Sequence, residues 1–377
     1  MRVMIAVTHL LGTGHLRRAL ALAKAFADNG HDVLLATGGL PLPGLDFGMI
    51  RLVQLAPLQS DGINFTRLLD TDGTPATDAL LADRRTVLCA TLTDFAPDIL
   101  ITELFPFGRR VLADEFKALL AAATNLGPRP VVLASIRDIL APPSKPAKAE
   151  QTDQLIEQFY DAVLVHSDPQ VTSLDQSWPV SAALAARLRY TGYVAPDPAG
   201  PHPKATGTDE VLVSAGGGPV GTRLFETALA AARLMPDRRW RLLVGGQNAG
   251  ERIASLPTDD RATVEPARPD FRQMLTHAAA SVSLCGYNTA LDVLQAGIPA
   301  VFVPFDDGNE VEQTLRARCL SHLPGIATLR TGNLTPERLC AAVRQVIAAP
   351  ARTGLKLRFD GAAQSVAIAE QMAKART

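Results

Sequence analysis

Short apolar runs recur along the chain, and between most of them the apolar residues return every three or four positions. Residues 3–7 form the first run. The loop His9-Leu10-Leu11-Gly12-Thr13-Gly14-His15 follows. Leu16, Ala19, Leu20, Ala23 and Phe26 then mark one face of a helix over about residues 16–29, and Gly30 supplies its stop. An extended run resumes at 32–36. Strand, loop, helix, strand at this length is a βαβ unit with a right-handed crossover. Further strands are expected at 99–102, 131–135, 162–166 and 188–191, with helices such as 109–123 and 153–160 between them. Residues 57–78, rich in Asp, Gly and Thr, read as a loop with a short helix at most. Pro142-Pro143-Ser144-Lys145-Pro146 reads as a mobile loop.

Residues 194–209 hold Pro196, Pro198, Pro201, Pro203, Gly200 and Gly207, the clearest linker in the chain. A second series of strands begins after it, at 211–214, 240–244, 262–265, 280–284 and 300–303, and residues 359–375 read as a closing helix. The expected organisation is a Rossmann-like domain over 1–193, the linker 194–209, a second Rossmann-like domain over 210–355, and a C-terminal helix over 356–377 that can pack back on the first. Strands alternating with helices imply an α/β fold with a parallel sheet in each half. Ligands of such sheets bind beyond the C-terminal strand ends, so two facing sheets predict a cleft between the domains.

Composition narrows the function classes. A length of 377 residues suits about two domains, and 47% hydrophobic residues exclude disorder as the main state. Lys+Arg 37 against Asp+Glu 38 leaves a net charge of −1, which argues against bulk capture of nucleic acid. Cys89, Cys285, Cys319 and Cys340 have no metal spacing, so reduced thiols and a cytoplasmic setting are expected. No export leader or membrane span is read, while peripheral contact at a membrane surface stays open. One candidate for such contact is Leu104-Phe105-Pro106-Phe107-Gly108-Arg109-Arg110, where aromatic and basic residues adjoin; the start of a buried helix is the plainer reading.

Four clusters carry chemistry. Gly12, Thr13, Gly14 and His15 follow the first strand, where glycines allow close approach of a ligand and His15 enters a helix N-terminus. The positive helix end favours neutral imidazole, the form a general base needs. The dinucleotide fingerprint fails, because Arg17 stands in place of its third glycine. Gly216, Gly217 and Gly218 follow the first strand of the second half and can turn several N–H groups toward a diphosphate. The third cluster leaves the strand at Leu284. Asn288 or Thr289 is expected to cap the next helix, with Asp292 in its first turn and Gly297 at its end. Asp292 is either a helix-start carboxylate or an acceptor for ribose hydroxyls. In the fourth, Glu312 and Gln313 can reach sugar hydroxyls or simply open a solvated helix. Asp306 and Asp307 lack companions for a metal site, so neither metal nor cofactor is expected.

Together these segments resemble the two-domain GT-B glycosyltransferases, and family 28 in particular. The carriers are Gly14-His15 with Arg18 to Ala27 and Gly30-His31-Asp32-Val33, then Gly216-Gly217-Gly218, the run Gly286 to Pro304, and Gln313. The resemblance implies that His15 is the base or lines the acceptor site, that Asp292 contacts the ribose of a uridine nucleotide, and that no metal is required. Ala134-Ser135-Ile136-Arg137-Asp138 departs from the His-Glu-Gln-Asn stretch of the peptidoglycan enzyme in that family. The chain is therefore more similar to predicted glycosyltransferases related to family 28. Arg137, Asp138 and Glu103 then become acceptor-side or alternative-base candidates. The implied activity is inverting transfer from a nucleotide-sugar, a UDP-sugar by this resemblance, to a hydroxyl on a lipid-linked or glycan acceptor. The same fold hosts nucleotide-sugar 2-epimerases and hydrolases, and a non-catalytic nucleotide-sugar binder is the remaining alternative.

Overall fold

The computed structural model describes residues 1–10, 12–61, 67–215, 221–246, 248–306, 311–352 and 356–376. The chain divides into a unit of Met1–Val194 with Arg358–Thr377 and a unit of Ala195–Leu357. The first unit contains β1 (Arg2–Val7), α1 (Gly14–Asp28), β2 (Asp32–Gly39), β3 (Arg51–Ser60), β4 (Leu68–Leu69), α2 (Asp78–Phe95), β5 (Ile99–Glu103), α3 (Ala113–Thr124), β6 (Val131–Arg137), α4 (Pro146–Phe159), β7 (Ala162–His166), α5 (Ala182–Arg187) and β8 (Leu188–Tyr190). Its sheet runs β4-β3-β2-β1-β5-β6-β7-β8, parallel throughout except for the antiparallel β3–β4 pair.

Both faces of this sheet are buried, which is why its strands read as unbroken apolar runs. Met4 and Ala6 of β1 join one core, with α2, α3 and α4. Val3, Ile5 and Val7 join the other, against Leu16, Ala19, Ala23 and Phe26 of α1. The same core takes Val366 and Ala369 from the last helix of the chain.

The second unit holds β9 (Val211–Ser214), α6 (Thr222–Leu234), β10 (Trp240–Val244), α7 (Ala249–Ser255), β11 (Ala262–Pro266), α8 (Phe271–Leu275), β12 (Ala280–Ser283), α9 (Tyr287–Ala296), β13 (Ala300–Phe302), α10 (Glu312–Leu320), β14 (Ile326–Thr328) and α11 (Pro336–Ala348). Its strands are all parallel in the order β11-β10-β9-β12-β13-β14. The reversal of direction falls between β9 and β12, where open α/β sheets bind ligands. The last helix, α12 (Gly361–Lys374), lies in the first unit, where His31 Nε2 meets Glu370 Oε1 at 2.9 Å.

Several expectations are corrected. Residues 51–60 are a strand, not the start of a loop, and 68–69 add a short antiparallel strand; residues 62–66 lie outside the described residues. Pro57 falls where the β2–β3 register slips between Thr37 and Gly39, which hides the strand's alternation. Pro146 does not belong to a loop. It opens α4 at the first helical turn, where its missing N–H costs nothing. Residues 104–110 do not present aromatics to a membrane. Phe105 and Phe107 are buried, with Phe105 stacked 4.8 Å from Phe116 and Phe107 edge-on to Trp178.

Helix α2 is locked by a buried ion pair. Arg84 Nε and Nη2 each donate to Glu115 of α3 at 2.9 Å. Arg84 Nη1 also donates to the carbonyls of Gly38 (3.0 Å) and Ala56. Gly38 has to be glycine here, since a Cβ would collide with this guanidinium and with Thr8 Oγ1. Removing one partner of such a pair strands the other in an apolar interior. Arg84→Met is expected to cost about 3–5 kcal/mol in urea denaturation, with most of it recovered in Arg84→Met/Glu115→Leu. A single variant as stable as the parent would show that the pair does not hold the layer.

Candidate functional site

The α1-facing positions of three neighbouring strands follow one rule. Ile99 and Ile101 of β5, Val131 and Leu133 of β6, and Ala162 and Leu164 of β7 are apolar and enter the core under α1. The next residue on that face is polar each time: Glu103, Ser135 and His166. All three are almost fully buried. They stand at the C-terminal strand ends, in the layer that α1 covers. Beside them the backbone bends sharply, with Leu104 at φ 69° and Arg109 at φ 58°, left-handed values unusual for residues with a side chain.

The loop after β1 brings His15 into this layer. Gly12 takes φ 67°, and Thr13 precedes the first turn of α1, its hydroxyl accepting from Arg17 Nε at 3.2 Å. Gly14 is the first helical residue and His15 the second. His15 Nδ1 lies 2.9 Å from Glu103 Oε1, and Arg18, one turn along α1, forms an ion pair with the same oxygen. Arg18 Nη2 is also 3.2 Å from His15 Nδ1. Ser135 Oγ donates to the other oxygen, Oε2, at 2.6 Å.

Charge follows from this geometry. Burial pushes Glu103 upward, but the Arg18 guanidinium and the His15 and Ser135 bonds more than offset it, holding the carboxyl well below its usual range. Burial lowers His15 to about 3, the Arg18 and Arg109 charges add to that, and the Glu103 bond opposes it. His15 is thus neutral, as expected from its place in the helix, although burial rather than the helix end is the main cause. An ionised Glu103 accepts only, so Nδ1 carries the His15 proton and Nε2 the lone pair.

The other expected residues of this unit lie nearby but play no part in these bonds to His15. Asp138 follows β6, is buried, and helps raise the Tyr193 phenol, for which burial is the larger cause. Arg137 ends β6, in register with His166. Arg18, Ser135 and His166 were not singled out from sequence. For Ser135 and His166 the signal is the polar residue that breaks each strand's apolar face towards its C-terminal end.

In the second unit, Gly216, Gly217 and Gly218 lie outside the described residues, as does Asp307. Helix α9 begins earlier than expected. Gly286, extended at φ −64° and ψ 152°, precedes Tyr287, and its carbonyl accepts from Ala290 N at 2.9 Å. Asn288 and Thr289 therefore sit inside the first turn rather than capping it, and Asp292 falls in the second turn. Gly297 ends the helix at φ 73°. Asp292 Oδ1 is 3.0 Å from Arg272 Nε, and burial raises its pKa against the pull of that charge. Arg272 Nη2 further donates to Gln295 Oε1 (2.5 Å) and to the Asp197 carbonyl (2.6 Å). Glu312 opens α10, and Gln313 Oε1 accepts from Phe305 N at 3.1 Å, bracing the strand end. Among the described residues, no group of three or more His, Cys, Asp or Glu could hold a metal ion, and no helix is long and apolar enough to cross a membrane.

Known proteins share the fold. The glycosyltransferase family 28 C-terminal domain matches residues 216–371. The UDP-N-acetylglucosamine–N-acetylmuramyl-(pentapeptide) pyrophosphoryl-undecaprenol N-acetylglucosamine transferase of Brucella anthropi is 32% identical over 143 residues, 36% of this chain and 38% of that protein. The chain spans between 38% and 52% of the length of such curated relatives. Among solved structures, the glycotransferase of kitacinnamycin aligns over 99% of this chain and 98% of its own, with TM-score 0.65 and 18% identity. MurG of Acinetobacter baumannii aligns over 98% and 99%, with TM-score 0.63 and 17% identity. The two parallel sheets with their switch in strand order and the likeness over the full length of these structures give the chain the GT-B glycosyltransferase fold, and residues 216–371 match the family 28 C-terminal domain.

Proposed function

We propose that this protein is an inverting, metal-independent glycosyltransferase that moves a sugar from a UDP-sugar to a hydroxyl of a lipid-linked or glycan acceptor. The observation that carries this reading is the His15–Glu103 bond of 2.9 Å, which leaves the lone pair on the opposite ring nitrogen. The acceptor oxygen attacks the anomeric carbon while its proton passes to His15 Nε2. The bond from that carbon to the diphosphate breaks on the far face, and the diphosphate leaves with both electrons. Glu103 orients His15 and stabilises the imidazolium as it forms. Its own oxygens are committed to Arg18, His15 and Ser135, so it is the positioning carboxylate and not the base. Asp138, which has no bond to His15, is likewise not assigned the proton.

On the donor side, the first-turn amides of α9, at Tyr287, Asn288 and Thr289, point along the positive end of a ten-residue helix and suit the leaving diphosphate. Asp292, fixed by Arg272, accepts the ribose hydroxyls. The family 28 match and the donor in the printed name of the Brucella relative support a uridine nucleotide. The same relative's acceptor supports a lipid-linked substrate and work at the inner face of a membrane.

A general base contributes about 10²–10⁴ in rate, so His15→Ala is expected to lose that much turnover in a radiolabelled sugar-transfer assay. Retention within a few-fold would remove His15 as base, and donor consumption without acceptor would move the assignment to hydrolysis or epimerisation. With its pKa lowered from 6.5 to about 3, His15 stays neutral in mild acid. kcat/KM should therefore hold level from about pH 8 down to about pH 5, with no acid limb near the ordinary histidine value. Asp292→Ala is expected to weaken UDP binding about 10- to 150-fold by calorimetry, as for one charged hydrogen bond. Thermal unfolding with UDP, GDP, TDP and CMP should show the largest shift with UDP, unchanged by EDTA. A larger shift with another base would overturn the uridine assignment.

A further inference from the structure

Behind Glu103 the hydrogen bonds continue away from His15. Ser135 Oγ is 3.0 Å from His166 Nε2, and His166 Nδ1 is 2.9 Å from Thr191 Oγ1. Glu103, Ser135, His166 and Thr191 are all 0–1% exposed, so no solvent competes for these bonds. Glu103 and His166 end β5 and β7, Ser135 lies two residues before the end of β6, and Thr191 directly follows β8.

The proton direction at each link from Glu103 back to His166 follows from the geometry. Glu103, paired with Arg18, is ionised and has no proton to give. At 2.6 Å, a proton must lie between its Oε2 and Ser135 Oγ, so the serine donates its only hydrogen to the carboxylate. Ser135 can then only accept from His166, which puts a proton on Nε2. Burial, with the Arg18 charge, holds His166 neutral, against a smaller opposing pull from Glu103. Nδ1 therefore carries a lone pair that faces the Thr191 hydroxyl, whose single proton is shared among this nitrogen, the Gly192 carbonyl at 2.8 Å and the Val165 carbonyl at 3.3 Å. Reversing the chain would leave two oxygens facing each other at 2.6 Å with no proton between them.

We propose that Ser135, His166 and Thr191 form a one-way hydrogen-bond chain that delivers donors to Glu103 and thereby fixes the orientation and tautomer of His15. Ser135 and His166 are positioning residues. They touch no substrate and act through the carboxylate. The groups facing Glu103 are then Arg18 and His15 from α1 on one oxygen and this chain on the other, while Arg109, from the loop after β5, adds its charge at His15. The inference rests on the glycosyltransferase reading only for its catalytic meaning, because the tautomers can be read without substrate.

The test is nitrogen-15 imidazole spectroscopy of the full chain at neutral pH, with His15 and His166 assigned through His15→Gln and His166→Gln. The wild type is expected to show His166 protonated on Nε2 and His15 on Nδ1. In Ser135→Ala the carboxylate loses a donor and pulls harder on the His15 Nδ1–H, so the proton signal of that N–H should move downfield, and His166→Leu should move it the same way by less. His166→Gln, whose amide can donate from a similar place, should restore the wild-type His15 signal. His166 protonated on Nδ1 in the wild type would overturn the chain outright, and this reading needs no variant to fold. An unmoved His15 Nδ1–H signal in folded Ser135→Ala would also overturn it. Turnover that survives in His15→Ala while the tautomers stand as described would instead count against the catalytic reading alone.

Discussion

A carboxylate placed under a helix, on the apolar face of a parallel sheet, dictates the architecture around it. Glu103 is 1% exposed, and an ion so buried survives only when every lone pair is answered. The answers come from two elements. Helix α1 supplies Arg18 as counter-charge and His15 as a second donor, and β6 supplies Ser135. Because the guanidinium neutralises the carboxylate, the pair beside His15 carries little net charge, and burial keeps the imidazole neutral. The last turns of the sheet and the first turn of α1 are thereby held in one register.

The second unit uses a cation differently. Arg272, from the short helix α8, spans Asp292, Gln295 and the backbone at Asp197, so one guanidinium ties a helix face to the segment that enters the unit. Asp292 is only partly buried, and its carboxylate has been given one fixed partner rather than three. Its geometry leaves an oxygen edge oriented by Arg272, whereas Glu103 has both oxygens spoken for.

Much of the fold was legible because both sheets are covered on both faces. Runs such as 162–166 and 211–214 can be nothing but buried strands, and the structure places them at those residues. Helix α2 was hidden because its buried stripe, Arg84, Leu88, Leu92 and Phe95, opens with a charge. An apolar periodicity search passes over an arginine whose partner, Glu115, sits 31 residues away. His15 and Glu103 could each be suspected from their positions after strands. Their pairing could not, because it depends on the face each strand presents and on the pitch of α1. The terminal polar residue on each of the three strands was visible in the sequence, but it gains meaning only once β5, β6 and β7 are known to be neighbours. Asp292 was misplaced by a single turn because an extended glycine started α9 without a side-chain cap.

Helix α12 gives the chain an unusual order of completion. Val366 and Ala369 close the core above β1, β5 and β6, yet they follow the whole of the second unit in the chain. During synthesis, which proceeds from the N-terminus, residues 195–357 can emerge and close on themselves while the earlier sheet still lacks part of one layer. The nascent first unit then keeps an apolar groove beside α1 until residues 361–374 follow and seal it.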